Sequence, residues 1–397
     1  MRVGRIDGWD RRDDDRSMGR RLSLLPDLFV MVIVAVGLTS CGGGEGEERQ
    51  AASSTPAPSS TPAPTSRPAR ETPVDLELFF PHGIAVSRDG VVFVADTDSS
   101  RVVRIDREGT ITTFAGKADF HGFEGDGGPA ADALLYGPTG LALDAEENLY
   151  IVDHGNNRVR KVDRNGTITT VIGSGAAGTS GDGGPATEAT LQEPLGIAVD
   201  RSGSIFLADR DNYRVRAVDT DGTIRAFAGN GSIGPKLKDG PATEAEFGLP
   251  VGVAPGPEGS LFISDEPAHR ILKVDAEGAM TTHAGTGKAG YSADGGPAEE
   301  AELNGPYHMA GDARGNLYFA DTGNHVIRVV DRKGSIQTVA GTGRPGSRGD
   351  GGPATKAWLN EPYAVAVDGA GALYIADYGN SKVRRVNRSG TITTIAP

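Results

Sequence analysis

The sequence contains a single cysteine, Cys41, among its 397 residues. A lone cysteine excludes an internal disulfide framework and a cysteine-rich zinc site. Aromatic residues are also scarce, with 12 Phe, 9 Tyr and 2 Trp, so a hydrophobic core must consist mainly of Val, Ile, Leu and Ala. The uncharged apolar run at residues 28–38 is 11 residues long, whereas a membrane-spanning helix takes about 20.

Basic residues are outnumbered, since 40 Lys and Arg stand against 53 Asp and Glu, for a formal net charge of −13. The whole deficit belongs to residues 75–397, where 30 basic residues face 43 acidic ones. Proteins that bind nucleic acids normally present a basic face to the phosphates. We therefore expect no nucleic-acid partner.

Glycine, in contrast, is abundant: the chain has 58, about twice the usual share of ~7%. The glycines have no three-residue period, which excludes collagen, and a hydrophobic fraction of 37% is too high for a wholly disordered chain. A β-rich globular domain with many tight turns remains.

Residues 1–40 have the pattern of a secretory signal peptide, because Arg20 and Arg21 precede the short apolar run and small residues follow it. The Asp-rich start at residues 13–15 is unusual for a signal peptide, so Met18 is a candidate for the true initiator. The run ends Leu-Thr-Ser-Cys41, which resembles the bacterial lipobox; the resemblance implies cleavage before Cys41 and attachment of lipid to its sulfur. We expect an exported lipoprotein anchored to a membrane of the bacterial cell envelope.

Residues 41–74 are rich in Pro, Ser and Thr and show no apolar period. Such a segment cannot bury enough surface to offset the entropy of ordering it. We interpret it as a disordered tether between the lipidated Cys41 and a domain that begins at residue 75.

The rest of the chain repeats one unit six times. An Asp closes a short apolar segment in each copy, and the successive spacings are 57, 56, 56, 56 and 56 residues; these are Asp96, Asp153, Asp209, Asp265, Asp321 and Asp377. A proline opens each copy with the same spacing: Pro81, Pro138, Pro194, Pro250, Pro306 and Pro362. A period of this length is typical of a solenoid or a propeller.

Each copy contains four short segments with strand character. The third and fourth are joined by a four-residue turn that begins with Asp or Asn and ends with Gly, as at residues 106–109 and 163–166. Four-stranded antiparallel meanders in tandem are propeller blades. The sequence therefore predicts an all-β fold, a six-bladed β-propeller over residues 75–397.

The repeated stretches ADTDSSRVVRID, VDHGNNRVRKVD and ADTGNHVIRVVD resemble NHL repeats. The connector GDGGPATEATLQEP is similar to those of bacterial NHL-repeat envelope proteins and of the teneurin NHL domain. The resemblance implies that the first strand of each blade lines the channel. It also implies that the connectors and the loops between second and third strands share one face, which we call the top face.

The copy number is integral, and no strand is left over for exchange between the chain ends. We therefore expect the ring to close by side-chain packing between the first and last blades.

Candidate binding residues lie where each inner strand begins, directly after the opening proline. In copies one, five and six, which are neighbours in a closed ring, these positions place His82, Tyr307, His308 and Tyr363 on one side of the channel mouth. Imidazole and aromatic groups opposite an apolar wall favour a pocket for a small molecule or a side chain. The alternative is that they are rim residues that pack onto connectors.

Two functions follow. The leading one is a non-catalytic scaffold, a monomer that binds an envelope protein, peptide or glycan through its top face, with no cofactor and no catalytic residue. The alternative is a metal-dependent lyase or hydrolase at the channel mouth, because some similar propellers hold zinc with three histidines. Only two of the seven histidines lie at inner-strand positions, so the sequence shows no metal site. The repeated Asp and the Arg five residues after it recur in several blades, and we interpret the pair as structural.

Overall fold

The computed structural model describes residues 77–234, 240–292 and 294–397. The predicted signal peptide, Cys41 and the predicted tether lie outside the described residues. The described part of the chain folds into six antiparallel sheets without an α-helix, and no helix in it has the length and apolar character to cross a bilayer.

Each sheet is one blade of four consecutive strands, and blade 4 carries one short extra strand. Blade 1 comprises β1 (Pro81–Val86), β2 (Val92–Asp96), β3 (Arg101–Ile105) and β4 (Ile111–Ala115). Blade 2 comprises β5 (Pro138–Leu143), β6 (Leu149–Asp153), β7 (Arg158–Val162) and β8 (Ile168–Ile172). Blade 3 comprises β9 (Pro194–Val199), β10 (Ile205–Asp209), β11 (Arg214–Val218) and β12 (Ile224–Ala228).

Blade 4 comprises β13 (Gly240–Pro241), β14 (Pro250–Pro255), β15 (Leu261–Asp265), β16 (Arg270–Val274) and β17 (Ala279–Ala284). Blade 5 comprises β18 (Pro306–Gly311), β19 (Leu317–Asp321), β20 (Val326–Val330) and β21 (Ile336–Ala340). Blade 6 comprises β22 (Pro362–Val367), β23 (Leu373–Asp377), β24 (Lys382–Val386) and β25 (Ile392–Ala396). The strand β13 belongs to the connector before blade 4 and pairs with β17.

The first strands of the blades form a closed ring, because β1, β5, β9, β14, β18 and β22 each contact the next and β22 contacts β1. The six-bladed propeller predicted from the repeats is thus confirmed. The first strand is innermost in every blade and the fourth is outermost in all but blade 4, where β13 lies outside it.

Val, Ile, Leu and Ala fill the spaces between blades, as the scarcity of aromatic residues requires. Each hydrophobic cluster contains side chains from two neighbouring blades. One cluster, for example, contains Ala95 of blade 1 and Ile151 of blade 2. The second strands are buried along their whole length in blades 1 to 4 and 6. Full burial of one such aliphatic side chain stabilises the fold by about 1.5–3 kcal/mol, so these seams supply much of the stability of the ring.

The turn between third and fourth strands follows the chemistry expected from the sequence. In blade 1, the Gly109 N–H donates to the Asp106 carbonyl, and the Thr110 N–H donates to the Asp106 carboxylate at 2.7 Å. Gly109 has a φ of 85°, a backbone conformation that favours glycine. The same Asp or Asn, followed three residues later by Gly, therefore recurs in all six blades.

The connectors and second-to-third-strand loops contain single 3₁₀ turns. In the connectors these are Ala130–Asp132, Ala186–Glu188, Ala242–Glu244, Ala298–Glu300 and Ala354–Lys356. In the loops they are His154–Asn156, Arg210–Asn212, Thr322–Asn324 and Tyr378–Asn380, and a further turn, Pro257–Gly259, joins β14 to β15.

The ring closes between blades 1 and 6. Side chains from both blades form one hydrophobic cluster, in which Val94 and Val103 of blade 1 meet Ala376 and Val383 of blade 6. Leu78 joins this cluster, and its N–H donates to the Pro397 carbonyl at 3.3 Å. Among the described residues, blades 1 and 6 thus meet through packed side chains and this backbone hydrogen bond. Residues 75 and 76 lie outside the described residues.

Candidate binding sites on the top face

Side chains from the six inner strands converge at the channel mouth. Each inner strand begins at its opening proline, and a register shift against the second strand follows, as between Pro81 and Ile84. Of the residues directly after the prolines, His82, Thr139, Leu195 and Val251 are buried, whereas Tyr307 and Tyr363 are partly exposed. The residues at the channel mouth are thus buried or partly buried, and both readings of the sequence, a pocket or packed rim residues, stay predictions.

The structure brings the four predicted residues together around His82. The His82 ring lies 5.0 Å from Tyr363, 5.1 Å from His308 and 5.4 Å from Tyr307, all edge to face. Tyr307 stacks on Tyr363 at 4.6 Å, and the Tyr307 hydroxyl lies 3.4 Å from His82 Nε2. Because Tyr307 belongs to blade 5 and His82 to blade 1, these contacts reach across blade 6. We call these four residues the axial cluster.

Tyr378 extends the axial cluster and was missed by the sequence analysis. It stacks on Tyr363 with ring centroids 3.9 Å apart and an interplanar angle of 8°, and Phe80 contacts its ring at 5.0 Å. A signal was present, because Tyr378 is the one aromatic residue among those that directly follow the repeated Asp. That position lies on the loop between second and third strands.

The two histidines of the axial cluster are neutral near pH 7. Burial lowers the pKa of His308 to about 4. Burial also holds the pKa of His82 well below its usual value, and the charges of His308, His154 and Arg210 lower it further. His82 Nδ1 and His308 Nε2 are buried and have no hydrogen-bond partner among the described residues. A buried imidazole in these surroundings disfavours a positive charge and suits an uncharged hydrogen-bonding group.

In the part of the chain that the structure describes, no group of three or more His, Cys, Asp or Glu side chains is placed to hold a metal ion.

A second surface on the top face carries exposed aromatic rings. Phe120 is 66% exposed, and Phe79 and Tyr136 are each 48% exposed. The exposed His121 lies with its ring 5.0 Å from Tyr136. We call Phe79, Phe120, His121 and Tyr136 the aromatic patch.

The aromatic patch adjoins a cavity at the seam between blades 1 and 6. The cavity has a volume of about 470 Å³, and it is lined by Glu77, Phe79, Ser99, Arg101, Ala118, Asp119 and Pro397. Asp119, which precedes Phe120, lines this cavity together with Phe79 and donates its N–H to the Ser99 carbonyl. The other exposed large hydrophobic residues of the described chain are Phe123, in the same connector as Phe120, and Ile233 and Tyr291, in the connectors before blades 4 and 5. The residues of the patch belong to the segment before β1 and to the connector between blades 1 and 2.

Two family models match the repeats of this propeller. The model for the teneurin NHL domain matches residues 121–180 and 175–236, and the model for the NHL repeat matches residues 80–105. Blades 1 to 3 thus contain segments that match NHL-repeat models.

Two relatives are similar to most of this chain over part of their own length. Protein SUPPRESSOR OF QUENCHING 1, chloroplastic, from Arabidopsis thaliana is 27% identical over 370 residues, which cover 89% of this chain and 34% of that protein. NHL repeat-containing protein 2 from Bos taurus is 26% identical over 354 residues, which cover 81% of this chain and 48% of that protein. The chain thus spans about a third to a half of these relatives.

A solved structure supports the fold. A protein of unknown function from Bacteroides thetaiotaomicron superposes with a TM-score of 0.58 at 20% identity, covering 78% of this chain and 69% of that one.

Four of the six blades share a buried polar network. In blade 3, the fully buried Asp209 accepts hydrogen bonds from the Gln192 N–H and Asn212 Nδ2, both at 2.8 Å, and lies 3.3 Å from Arg216 Nη1. Arg216 also contacts Asp182 of the preceding connector at 2.7 Å. Burial raises the pKa of Asp209 to about 6, so the carboxylate is still mainly ionised at pH 7, opposite the guanidinium. The Asp of the GDGG connector is thus a structural partner of a buried Arg.

The pairing of each repeated Asp with the Arg five residues later holds only in part. In blades 2, 3, 5 and 6 the ion pair is made by the Arg seven residues later: Arg160, Arg216, Arg328 and Arg384. In blade 1 the expected Arg101 does pair with Asp96, at 2.7 Å. There the later position is Val103, and Arg101 is itself buried.

Proposed function

We propose that this protein is a lipid-anchored propeller of the bacterial cell envelope that binds a partner protein on its aromatic patch. The observation that carries the proposal is the exposure of Phe79, Phe120 and Tyr136 on adjoining parts of the top face. Exposed aromatic residues that lie together on a soluble surface typically mark an interaction site. The axial cluster, in contrast, offers less surface to a partner, because His82 is buried and Tyr307, His308 and Tyr363 are only partly exposed.

Acidic residues beside the aromatic patch indicate which side chains the partner would carry. The exposed Asp98 donates its N–H to the Phe79 carbonyl, and Glu77 and Asp119 line the adjacent cavity. Acidic groups beside aromatic faces favour Lys and Arg, which can form ion pairs and cation–π contacts at the same time. The net charge of −13 acts in the same direction over longer range. We therefore expect a protein segment that combines basic and apolar side chains.

Site-specific crosslinking in the native host tests the proposal. A photo-reactive phenylalanine analogue at position 120 should yield one discrete crosslinked species, identified by mass spectrometry. The same analogue at Lys333, which lies exposed in the turn between β20 and β21 on the opposite face, is the matched control and should yield none. A crosslink to the same protein from both positions, or from neither, contradicts the proposal.

Two further measurements separate the alternatives. Phe120→Ser in the mature chain should weaken binding of the identified partner at least tenfold, and added salt should weaken it further. Binding of the mature chain to an envelope glycan, lost in the same variant, would identify a glycan as the ligand and contradict a protein partner.

The anchor is tested separately. Cys41→Ser should move the protein from the membrane fraction to the soluble fraction and abolish incorporation of labelled fatty acid, because the sequence has one thiol. Ser40→Ala, which leaves Cys41 in place, is the control. Membrane association that survives Cys41→Ser would contradict the anchor while leaving the patch untouched.

A further inference from the structure

Two imidazole nitrogens of the axial cluster are buried without a hydrogen-bond partner among the described residues. They are His82 Nδ1 and His308 Nε2, on rings whose centroids lie 5.1 Å apart. The other side-chain nitrogens in this condition belong to guanidinium groups that bond through a different nitrogen: Arg214, Arg216, Arg270 and Arg328. A buried polar atom without a partner is costly, and native proteins rarely keep one without a reason. Two such atoms on neighbouring rings therefore point to a group that both of them bind.

The position of His308 departs from the repeat. The second residue after the opening proline is glycine in blades 1 to 4: Gly83, Gly140, Gly196 and Gly252. A Cβ added to any of these glycines would lie too close to a carbonyl oxygen of the next inner strand. Blade 5 nevertheless has His308 there, and its ring contacts those of His82 and Tyr307. An imidazole at a position where four blades admit no side chain is better explained by binding than by packing.

Aromatic rings enclose the two imidazoles and connect them to the solvent. Tyr307, Tyr363 and Tyr378 stack in a row, and each of the three is partly exposed. Tyr363 contacts His82, and Tyr378, which stacks on Tyr363, lies on a loop and not on an inner strand. These tyrosines can therefore turn aside and admit a small molecule without disturbing a strand.

The charges around His82 favour an uncharged ligand. Burial lowers the pKa of both imidazoles, so both are neutral near pH 7. Two further basic groups whose charges act on His82 are paired with carboxylates, Arg210 with Asp211 at 3.4 Å and His154 with Glu193 at 2.7 Å. An anion would thus meet no unpaired cation in this group, and a cation would meet no carboxylate in the axial cluster.

We propose that the axial cluster binds a single uncharged sugar ring. A sugar hydroxyl both donates and accepts a hydrogen bond, so it satisfies His82 Nδ1 and His308 Nε2 whichever tautomer each imidazole adopts. The apolar face of the sugar packs on the tyrosine rings, and the buried Leu195 and Val251 supply the apolar side of the channel mouth. Apolar walls with a few placed polar groups are typical of small-molecule sites. This site is separate from the aromatic patch and does not rest on the proposed function.

Nitrogen NMR of the mature chain, labelled with nitrogen-15 in its histidine rings, tests the proposal without a substitution. Glucose, galactose and N-acetylglucosamine are the probes, each added alone. At least one of them should shift the ring-nitrogen signals of His82 and His308, because a new hydrogen bond forms at each ring. The signals of His121, which is exposed on the aromatic patch, should not move.

A substitution then locates the binding. His308→Phe keeps a ring of similar size but removes the nitrogens, and it should weaken binding of the same sugar at least about tenfold. His121→Phe is the matched control and should bind the sugar as the wild-type protein does. Phe120→Ser should also keep sugar binding, so failure of the proposed function and failure of this proposal are distinguishable. Thermal unfolding checks that each variant is folded, and if His308→Phe is not, the nitrogen shifts of the wild-type protein decide.

Three outcomes would overturn the proposal. The first is that none of the three sugars moves the signals of His82 and His308. The second is sugar binding that survives in folded His308→Phe, which would place the sugar elsewhere on the propeller. The third is a shift of these signals with choline, acetate or Zn²⁺ in place of the sugars, which would assign the two nitrogens to a charged ligand.

Discussion

The Asp–Arg network and the channel mouth differ in how far their side chains recur from one blade to the next. The network is nearly the same in blades 2, 3, 5 and 6, where a buried Asp, an Asn three residues later and an Arg seven residues later contact one another. At the channel mouth, by contrast, the residue after the opening proline differs between blades and is His, Thr, Leu, Val or Tyr. A side chain that recurs in register serves each blade in the same way. Residues that depart from the repeat are therefore the better candidates for a specific ligand.

The largest effect is expected from breaking the network. Arg216→Leu should lower the free energy of unfolding by about 3–5 kcal/mol, because it leaves the buried Asp209 and the partly buried Asp182 without their cation. Chemical denaturation of the propeller measures the loss.

Arg225→Leu is the matched control, since Arg225 forms a half-exposed pair with Asp219 and should contribute less than about 1 kcal/mol. Similar losses in the two variants would show that the buried network has no special weight.

The axial cluster should respond to pH. Because the pKa of His308 is about 4 in the folded state, below the usual 6.5, the unfolded chain takes up the proton first on acidification. The contribution of His308 is therefore fully present above pH 6.5 and is lost as the pH falls toward 4, by up to about 3 kcal/mol.

The comparison with His308→Phe isolates this contribution, because the variant should lose less stability between pH 7 and pH 4.5 than the wild-type protein does. His121→Phe, at an exposed position of the aromatic patch, should keep the wild-type slope. A parallel pH dependence for wild type and His308→Phe would show that the imidazole is not desolvated.

These two regions also show how far the sequence predicts the structure. The period of 56 to 57 residues and the Asp-to-Gly turns specify six blades, since both act within a single unit. Comparison of positions after the prolines placed His82, Tyr307, His308 and Tyr363 together. It could not show that they bury one another, because Tyr307 and His82 meet across a blade that lies between theirs.

The errors have local physical causes. Arg158 and Arg160 lie two residues apart on the same strand, so their side chains leave it on the same side. The spacing from Asp153 therefore does not distinguish which of them reaches the carboxylate. Tyr378 enters the axial cluster from a loop, and its stacking on Tyr363 depends on the relation between two blade segments that are distant in the repeat pattern.

Neighbouring inner strands pack closely at the glycines near their start, and a substitution there should have a smaller effect on stability. A Cβ added to Gly196 would lie 2.3 Å from the Val251 carbonyl oxygen of the neighbouring strand. Gly196→Ala should therefore cost about 1–3 kcal/mol of unfolding free energy, although blade 6 has Ala364 at this position.

Gly369→Ala provides the control, because an added Cβ at Gly369 meets no atom within 4 Å. Thermal unfolding compares the two variants, and an unchanged midpoint in Gly196→Ala would mean that the inner strands move apart at little cost.

The smallest effect on stability is expected at the aromatic patch. Phe79→Ser and Phe120→Ser remove rings that are 48% and 66% exposed, so each should change the free energy of unfolding by no more than about 0.5 kcal/mol. A scaffold residue would be expected to couple binding to stability, whereas a ligand-contacting residue on a rigid blade need not. Loss of partner binding without loss of stability would therefore show that the patch binds a ligand, like other residues that depart from the repeat. A stability loss as large as that of Gly196→Ala would instead show that the patch residues are structural.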